Sequence, residues 1–174
     1  MVLLAVLVAG FLVAMLVPTR DGRRAPRAAA RLAMALAMVF AGVSHFAAPA
    51  SFIPLLPEFV PAPEAVIAAT GVIEVLLGAG LVVPRGWRRH VALLLVAYLV
   101  AVFPANVHAA VAGAQIEGLG GGNNWLRLPF QAVYITWVLW AVPGTCEPAR
   151  AVIRRLRNER ITHGAPLRRR PPRP

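Results

Sequence analysis

Six side chains carry chemistry into otherwise hydrocarbon stretches of this sequence: His45, Glu74, Asn106, His108, Arg127 and Gln131. A carboxyl group beside an imidazole can trade a proton near neutral pH. A guanidinium offsets negative charge, and side-chain amides orient a ligand by donating and accepting at once. Inside a bilayer each ionisable group costs roughly 2.5–3.5 kcal/mol on insertion scales, so each needs a partner or a task. Their spacing favours convergence. Gly42 and His45 lie three apart and share a helix face. Gly71, Glu74 and Gly78 are spaced three and four, a small-residue face on which another helix can approach closely. Arg127 and Gln131 are four apart and also share a face. Asn106 and His108 are two apart, so on a regular helix one faces the interior and the other the outer loops.

Several chemistries are excluded by composition. The single cysteine, Cys146, rules out an internal disulfide and Cys-x-x-Cys redox work. All 18 basic residues are arginines, so neither a Schiff-base lysine nor a Walker-type phosphate loop is available. No metal site is expected. A bis-histidine haem on His45 and His108 has no further signature behind it and is set aside.

The elements that must position these groups follow from hydropathy. The chain has 174 residues, 59% of them hydrophobic, with a mean hydropathy of +0.67, well above the roughly 45–50% apolar share of soluble domains. The excess falls into five runs, 1–17, 32–48, 65–83, 91–113 and 125–142. Each predicts a transmembrane helix, the first short at about 26 Å. A signal peptide does not fit 1–17, which has no basic stretch before it and ends on Val17-Pro18-Thr19. Arginines gather in three segments, 20–31, 85–89 and the tail from Gly144, each separated from the next by a non-basic one. The positive-inside rule puts all three in the cytoplasm and the N-terminus outside. The net charge of +11 is thereby a topology signal, and no nucleic-acid partner is expected.

With that orientation the six candidates fall in the outer half of the membrane or near its midplane, on four different runs. The connection 49–63 carries Pro49, Pro54, Pro57, Pro61 and Pro63 among large apolar residues, too proline-rich for a regular helix and too apolar for a free loop. It reads as an irregular cap over the outer mouth. Pro104 predicts a kink in the fourth run, and the glycine-rich 114–124 a flexible loop. Trp87, Trp125, Trp137 and Trp140 read as interface or lipid-side anchors. On the inner side 148–161 suits a short helix lying on anionic lipid, and 166–174, rich in proline and arginine, reads as disordered.

Four of these pieces, Gly42-Val43-Ser44-His45-Phe46, Gly71-Val72-Ile73-Glu74, Phe103-Pro104-Ala105-Asn106-Val107 and Arg127-Leu128-Pro129-Phe130-Gln131, occur in an order that resembles the DoxX-like family of small bacterial membrane proteins. The resemblance covers about 31–142. It implies an all-α, polytopic membrane helix bundle: a four-helix core at 31–143, an added transmembrane helix at 1–17, and a basic, partly disordered cytoplasmic tail at 144–174. It also implies a plasma-membrane accessory or redox-associated subunit, with a redox enzyme as partner and a quinone as candidate ligand. The family motifs carry over onto His45, Glu74, Asn106, Arg127 and Gln131. Redox-active cysteine pairs of wider relatives are missing here. A transporter and a purely structural scaffold are the alternatives; the first requires a polar path through inner halves that are almost wholly apolar, and no inverted repeat supports it.

Overall fold

The computed structural model describes residues 2–17, 25–83, 85–113 and 124–145. Met1–Pro143 forms one compact unit; of the second, Gly144–Pro174, only Gly144 and Thr145 are among the described residues. Among the described residues the regular elements are all helical: α1 (Val2–Leu16), α2 (Pro26–Ala47), α3 (Pro63–Gly80), α4 (Arg85–Ala101), α5 (Phe103–Val111) and α6 (Arg127–Ala141). Short 3-10 turns cover Pro49–Ser51, Ile53–Leu55 and Asn124–Leu126.

Proline decides where three helices begin. Pro26 and Pro63 are the first residues of α2 and α3, and Pro104 is the second of α5. Its φ is already helical, and in the first turn its missing N–H has no partner to lose. The second helix consequently starts six residues before the hydrophobic run at Leu32, taking in Arg27 and Arg31. In the fourth run, Pro104 has no N–H for the carbonyl one turn back. The helix breaks at Val102 (φ −84°, ψ −4°) into α4 and α5, and the Asn106 N–H returns to the Val102 carbonyl at 3.2 Å.

Among the described residues three stretches are long and apolar enough to cross a membrane: Pro26–Ala47, Pro63–Gly80 and the Gly86–Val111 run formed by α4 and α5. α1 and α6 have 15 residues each, about 22 Å of helix, short of the ~30 Å hydrocarbon layer. The outer surface matches a bilayer environment. Leu16, Leu76, Leu94, Val100 and Val111 are all exposed, where a water-soluble bundle of this size would place polar side chains.

α2 is the hub, packing against α1, α3 and α6, while α4 packs on α3 and α6. Leu7, Ala33, Met34, Ala37, Met38, Leu95, Leu99 and Val138 form the buried core between them. The α2–α3 contact is backbone-close because glycine allows it. A Cβ added at Gly42 would lie 2.5 Å from the Gly71 carbonyl oxygen, and one at Gly71 2.9 Å from the Gly42 oxygen. Trp137 departs from its expected role as a lipid-side anchor. It is half-buried, its indole N–H donates to the Ala30 carbonyl at 3.0 Å, and Phe11 meets it edge-on at 5.2 Å, joining α1, α2 and α6.

Residues 49–60 are not a loop in the usual sense. The two 3-10 turns are closed by Phe52 N–H to Pro49 and Leu56 N–H to Ile53, both 3.0 Å. Ala62, which leads into α3, sits at φ 48°, a left-handed conformation that a Cβ disfavours. Ala62→Gly trades a penalty of about 1–2 kcal/mol against the extra backbone entropy of glycine, about 0.5–1 kcal/mol. A small rise in thermal midpoint is the expected result, read by size-exclusion chromatography of heated, detergent-solubilised protein. The basic segment at 18–24, the glycine-rich stretch at 114–123, Cys146, the inner helix expected at 148–161 and the tail at 166–174 lie outside the described residues.

Candidate functional site

One cavity of about 290 Å³ opens beneath the proline-rich segment. Its apolar wall comes from Leu3 of α1, Met38 and Ala41 of α2, Ile67 of α3, Leu99 of α4, Ala105 of α5 and Phe130 of α6, with Phe52, Leu55 and Leu56 of the cap. Its polar lining contains His45, Glu74, Asn106, Arg127 and Gln131, joined by Ser44, Thr70, Tyr98 and Tyr134. Five of the six sequence-derived candidates thus border the same space. His108, one face away from Asn106 on α5, does not line it.

The close α2–α3 approach determines the first cluster. Gly42 and Gly71 bring the helices together one turn from His45 and Glu74, and His45 Nε2 comes to 3.8 Å from Glu74 Oε2. That is beyond the roughly 2.7–3.2 Å of an N–H···O hydrogen bond. Glu74 Oε1 accepts the Tyr98 hydroxyl at 2.9 Å, while Oε2 is buried with no hydrogen-bond partner. On the far side of the imidazole, Nδ1 lies 3.2 Å from both the Ile67 carbonyl oxygen and Thr70 Oγ1. The carbonyl can only accept, and the Thr70 hydroxyl already donates to it at 2.9 Å. Nδ1 is therefore the protonated nitrogen, and Nε2 faces the carboxyl group. Moving a single proton between these two facing atoms interconverts imidazole plus carboxylic acid with imidazolium plus carboxylate. Phe52 from the cap meets the imidazole edge-on at 4.3 Å and keeps the ring in place.

The second cluster spans the helix break. Asn106 Nδ2 donates to Gln131 Oε1 at 3.1 Å, and Gln131 Nε2 donates to the Leu99 carbonyl. Leu99 lies in the last turn of α4, where carbonyls have lost the next helical N–H. Gln131, itself buried, thus ties α6 both to the end of α4 and to α5. Arg127, half-buried at the start of α6, borders the cavity but makes no hydrogen bond or ion pair among the described residues. Of the two groups whose charge could hold Glu74 ionised, Arg127 and a protonated His45, it is His45 that the structure places within ion-pair distance among the described residues.

Besides Ser44, three lining side chains escaped the sequence reading. Tyr98, Thr70 and Tyr134 are neutral and inexpensive near a membrane interface, so a search for costly groups passes over them. Tyr134 was legible by register, since Arg127, Gln131 and Tyr134 recur at i, i+4 and i+7 on one face. Among the described residues no group of three or more His, Cys, Asp or Glu side chains is placed to hold a metal ion.

The fold and its lipid-compatible surface define a polytopic membrane helix bundle with an internal, partly polar cavity. The chain belongs to the family described as a domain of unknown function, DUF8561, whose model matches residues 34–142, from within α2 to just past α6. Comparison with curated proteins finds no match, and comparison with solved structures finds none.

Proposed function

We propose that this protein is a DoxX-like accessory or redox-associated subunit of the bacterial plasma membrane that binds a small amphipathic molecule, quinone-like in shape, in its cavity. The observation that carries this reading is the meeting of His45, Glu74, Asn106, Arg127 and Gln131 around one space whose remaining lining is largely apolar. At about 290 Å³ the space suits a single substituted ring system, at the small end of the ~300–1,000 Å³ typical of ligand pockets. Quinone chemistry moves protons with electrons. The His45–Glu74 pair supplies a proton site beside the cavity, and the electron carrier belongs to a partner enzyme. In this reading α1 is an addition to a four-helix core, since the family match begins within α2. The bundle crosses the membrane five times, with its N-terminus outside and its arginine-rich segments in the cytoplasm.

The test compares wild type with Glu74→Gln and Arg127→Gln for folded yield, and for quinone and lipid in organic extracts of the purified proteins. A lost charge-assisted hydrogen bond is worth about tenfold or more in retained ligand, so both variants are expected to fold and come out depleted by that factor. Reduced yield with no ligand in any of the three proteins favours a scaffold whose polar groups only hold helices together. A Soret band in the wild-type spectrum replaces the quinone reading with haem.

A further inference from the structure

The polar groups of the cavity are not equally available to a ligand. At the His45 end most valences are spent inside the protein, Nδ1 on Ile67 and Thr70 and Glu74 Oε1 on Tyr98, while Nε2 and the buried Glu74 Oε2 face each other at 3.8 Å without a hydrogen bond. Gln131 spends both ends of its amide, on Asn106 and on the Leu99 carbonyl. Ser44 gives its proton to the Phe40 carbonyl at 2.8 Å. Two donor groups of the lining, both on α6, make no hydrogen bond among the described residues. The Arg127 guanidinium carries five N–H donors and no acceptor, and among the described residues none of them is engaged. The Tyr134 hydroxyl, two turns further along the same face of α6, likewise makes no hydrogen bond among the described residues. A half-buried cation in a largely apolar space, with no counter-charge among the described residues, carries a desolvation cost that an anionic ligand would remove.

We infer that the ligand of this cavity carries an oxyanion on an apolar body, seated on the Arg127 guanidinium with Tyr134 as the second donor. This rests on the cavity being a ligand site, as proposed above, and narrows the ligand by charge. A neutral quinone ring leaves Arg127 unmatched. An ionised hydroxyquinone, a fatty carboxylate and a lipid phosphate share the required chemistry. The planar guanidinium pairs with two oxygens of a carboxylate or phosphate at once, whereas an ionised hydroxyquinone offers its enolate and adjacent carbonyl oxygens.

The experiment uses full-length protein in nanodiscs of zwitterionic phosphatidylcholine, with empty discs subtracting partition into lipid. Radiolabelled probes are titrated in matched pairs: 2-hydroxy-1,4-naphthoquinone against its methyl ether, and decanoate against methyl decanoate, with decyl phosphate as a third anion. Wild type is expected to bind at least one acid about tenfold more tightly than its neutral twin. That preference is expected to vanish in Arg127→Gln, to weaken in Arg127→Lys, and to persist in Arg89→Gln, which removes the same charge outside the cavity lining. Ala105→Leu, which fills the cavity wall, is expected to abolish it too. Discrimination of the decanoate pair or tight binding of decyl phosphate, but not of the quinone pair, supports the oxyanion site while removing quinone from the function proposed above. Equal binding of acid and neutral twin in both pairs, together with no tight binding of decyl phosphate, overturns the inference whether or not the Arg127 variants fold. So does an acid preference that survives Arg127→Gln or Ala105→Leu, because the anion then binds elsewhere on the protein.

Discussion

Gly42→Val is expected to cost this protein most of its folded yield, with a loss of about 3 kcal/mol or more, beyond the usual range for overpacking. The reason lies in what the first added carbon meets. A Cβ at Gly42 falls 2.5 Å from the Gly71 carbonyl oxygen and 2.8 Å from Val75 Cγ2, and the carbonyl belongs to the backbone of the facing helix. A flexible side chain would rotate away; a helix backbone moves only if α2 and α3 separate. Separation also breaks the site, since His45 and Glu74 lie one turn on along the same two helices. Gly42→Ala is therefore expected to destabilise as well, by a smaller amount. Two other glycines provide the contrast. A Cβ at Gly10 meets its nearest neighbour at 3.5 Å, ordinary contact, and one at Gly86 meets nothing within 4 Å. Gly86→Ala should be neutral or stabilising by about 0.5–1 kcal/mol, because glycine is a poor helix former. Thermal midpoints of the three variants in one detergent, read from the surviving monodisperse fraction, check the order. Equal midpoints for Gly42→Ala and Gly86→Ala would show that α2 and α3 are not in backbone contact.

The apolar runs were legible as helices because hydrocarbon content is a property of sequence alone, though among the described residues only three stretches are long and apolar enough to cross a membrane; the ends of the helices were not legible. α2 begins at Pro26, although Arg27 and Arg31 lower the local hydropathy, because helix initiation follows the proline and not the transfer energy of the next turn. Residues 91–113 read as one helix, and Pro104 marked the place where it divides into α4 and α5, but not that a glutamine on α6 would reach back to the last turn of α4. The candidate site was legible where residues were costly. His45, Glu74, Asn106, Arg127 and Gln131 are hard to explain in a bilayer one at a time and simple to explain around one cavity. Partner choice was not legible. In a list of residues Arg127 and His45 are equally good counter-charges for Glu74; the geometry pairs it with His45 and Tyr98, because the glycine contact fixes which helices lie closest. The same applies to His108, whose spacing from Asn106 allows one of the two to face the interior without saying which.

Gln131→Leu is the second large effect, and it separates what holds the bundle from what serves a ligand. Gln131 is 4% exposed and makes two hydrogen bonds, one to each side of the break at Val102. Leucine matches its size and suits the surrounding hydrocarbon, so shape is not the issue. Its cost is the two groups left behind, the Asn106 amide and the Leu99 carbonyl, each buried polar group without a partner being worth about 1–3 kcal/mol. Measured interhelical hydrogen bonds in membranes are nearer 0.6 kcal/mol because the unfolded chain finds other partners in the bilayer, which argues for the lower end. A net loss of about 2 kcal/mol is the expected result. The double variant Asn106→Leu with Gln131→Leu removes one orphan and should recover part of that loss, while Asn106→Leu alone should cost less than Gln131→Leu because the Leu99 bond survives. Unfolding of the three variants in mixed micelles of increasing dodecyl sulfate gives the comparison. Additive losses in the double variant would mean that the two amides do not touch. A full recovery would mean that the Leu99 carbonyl contributes nothing, and that the break between α4 and α5 is closed by Pro104 and the backbone alone.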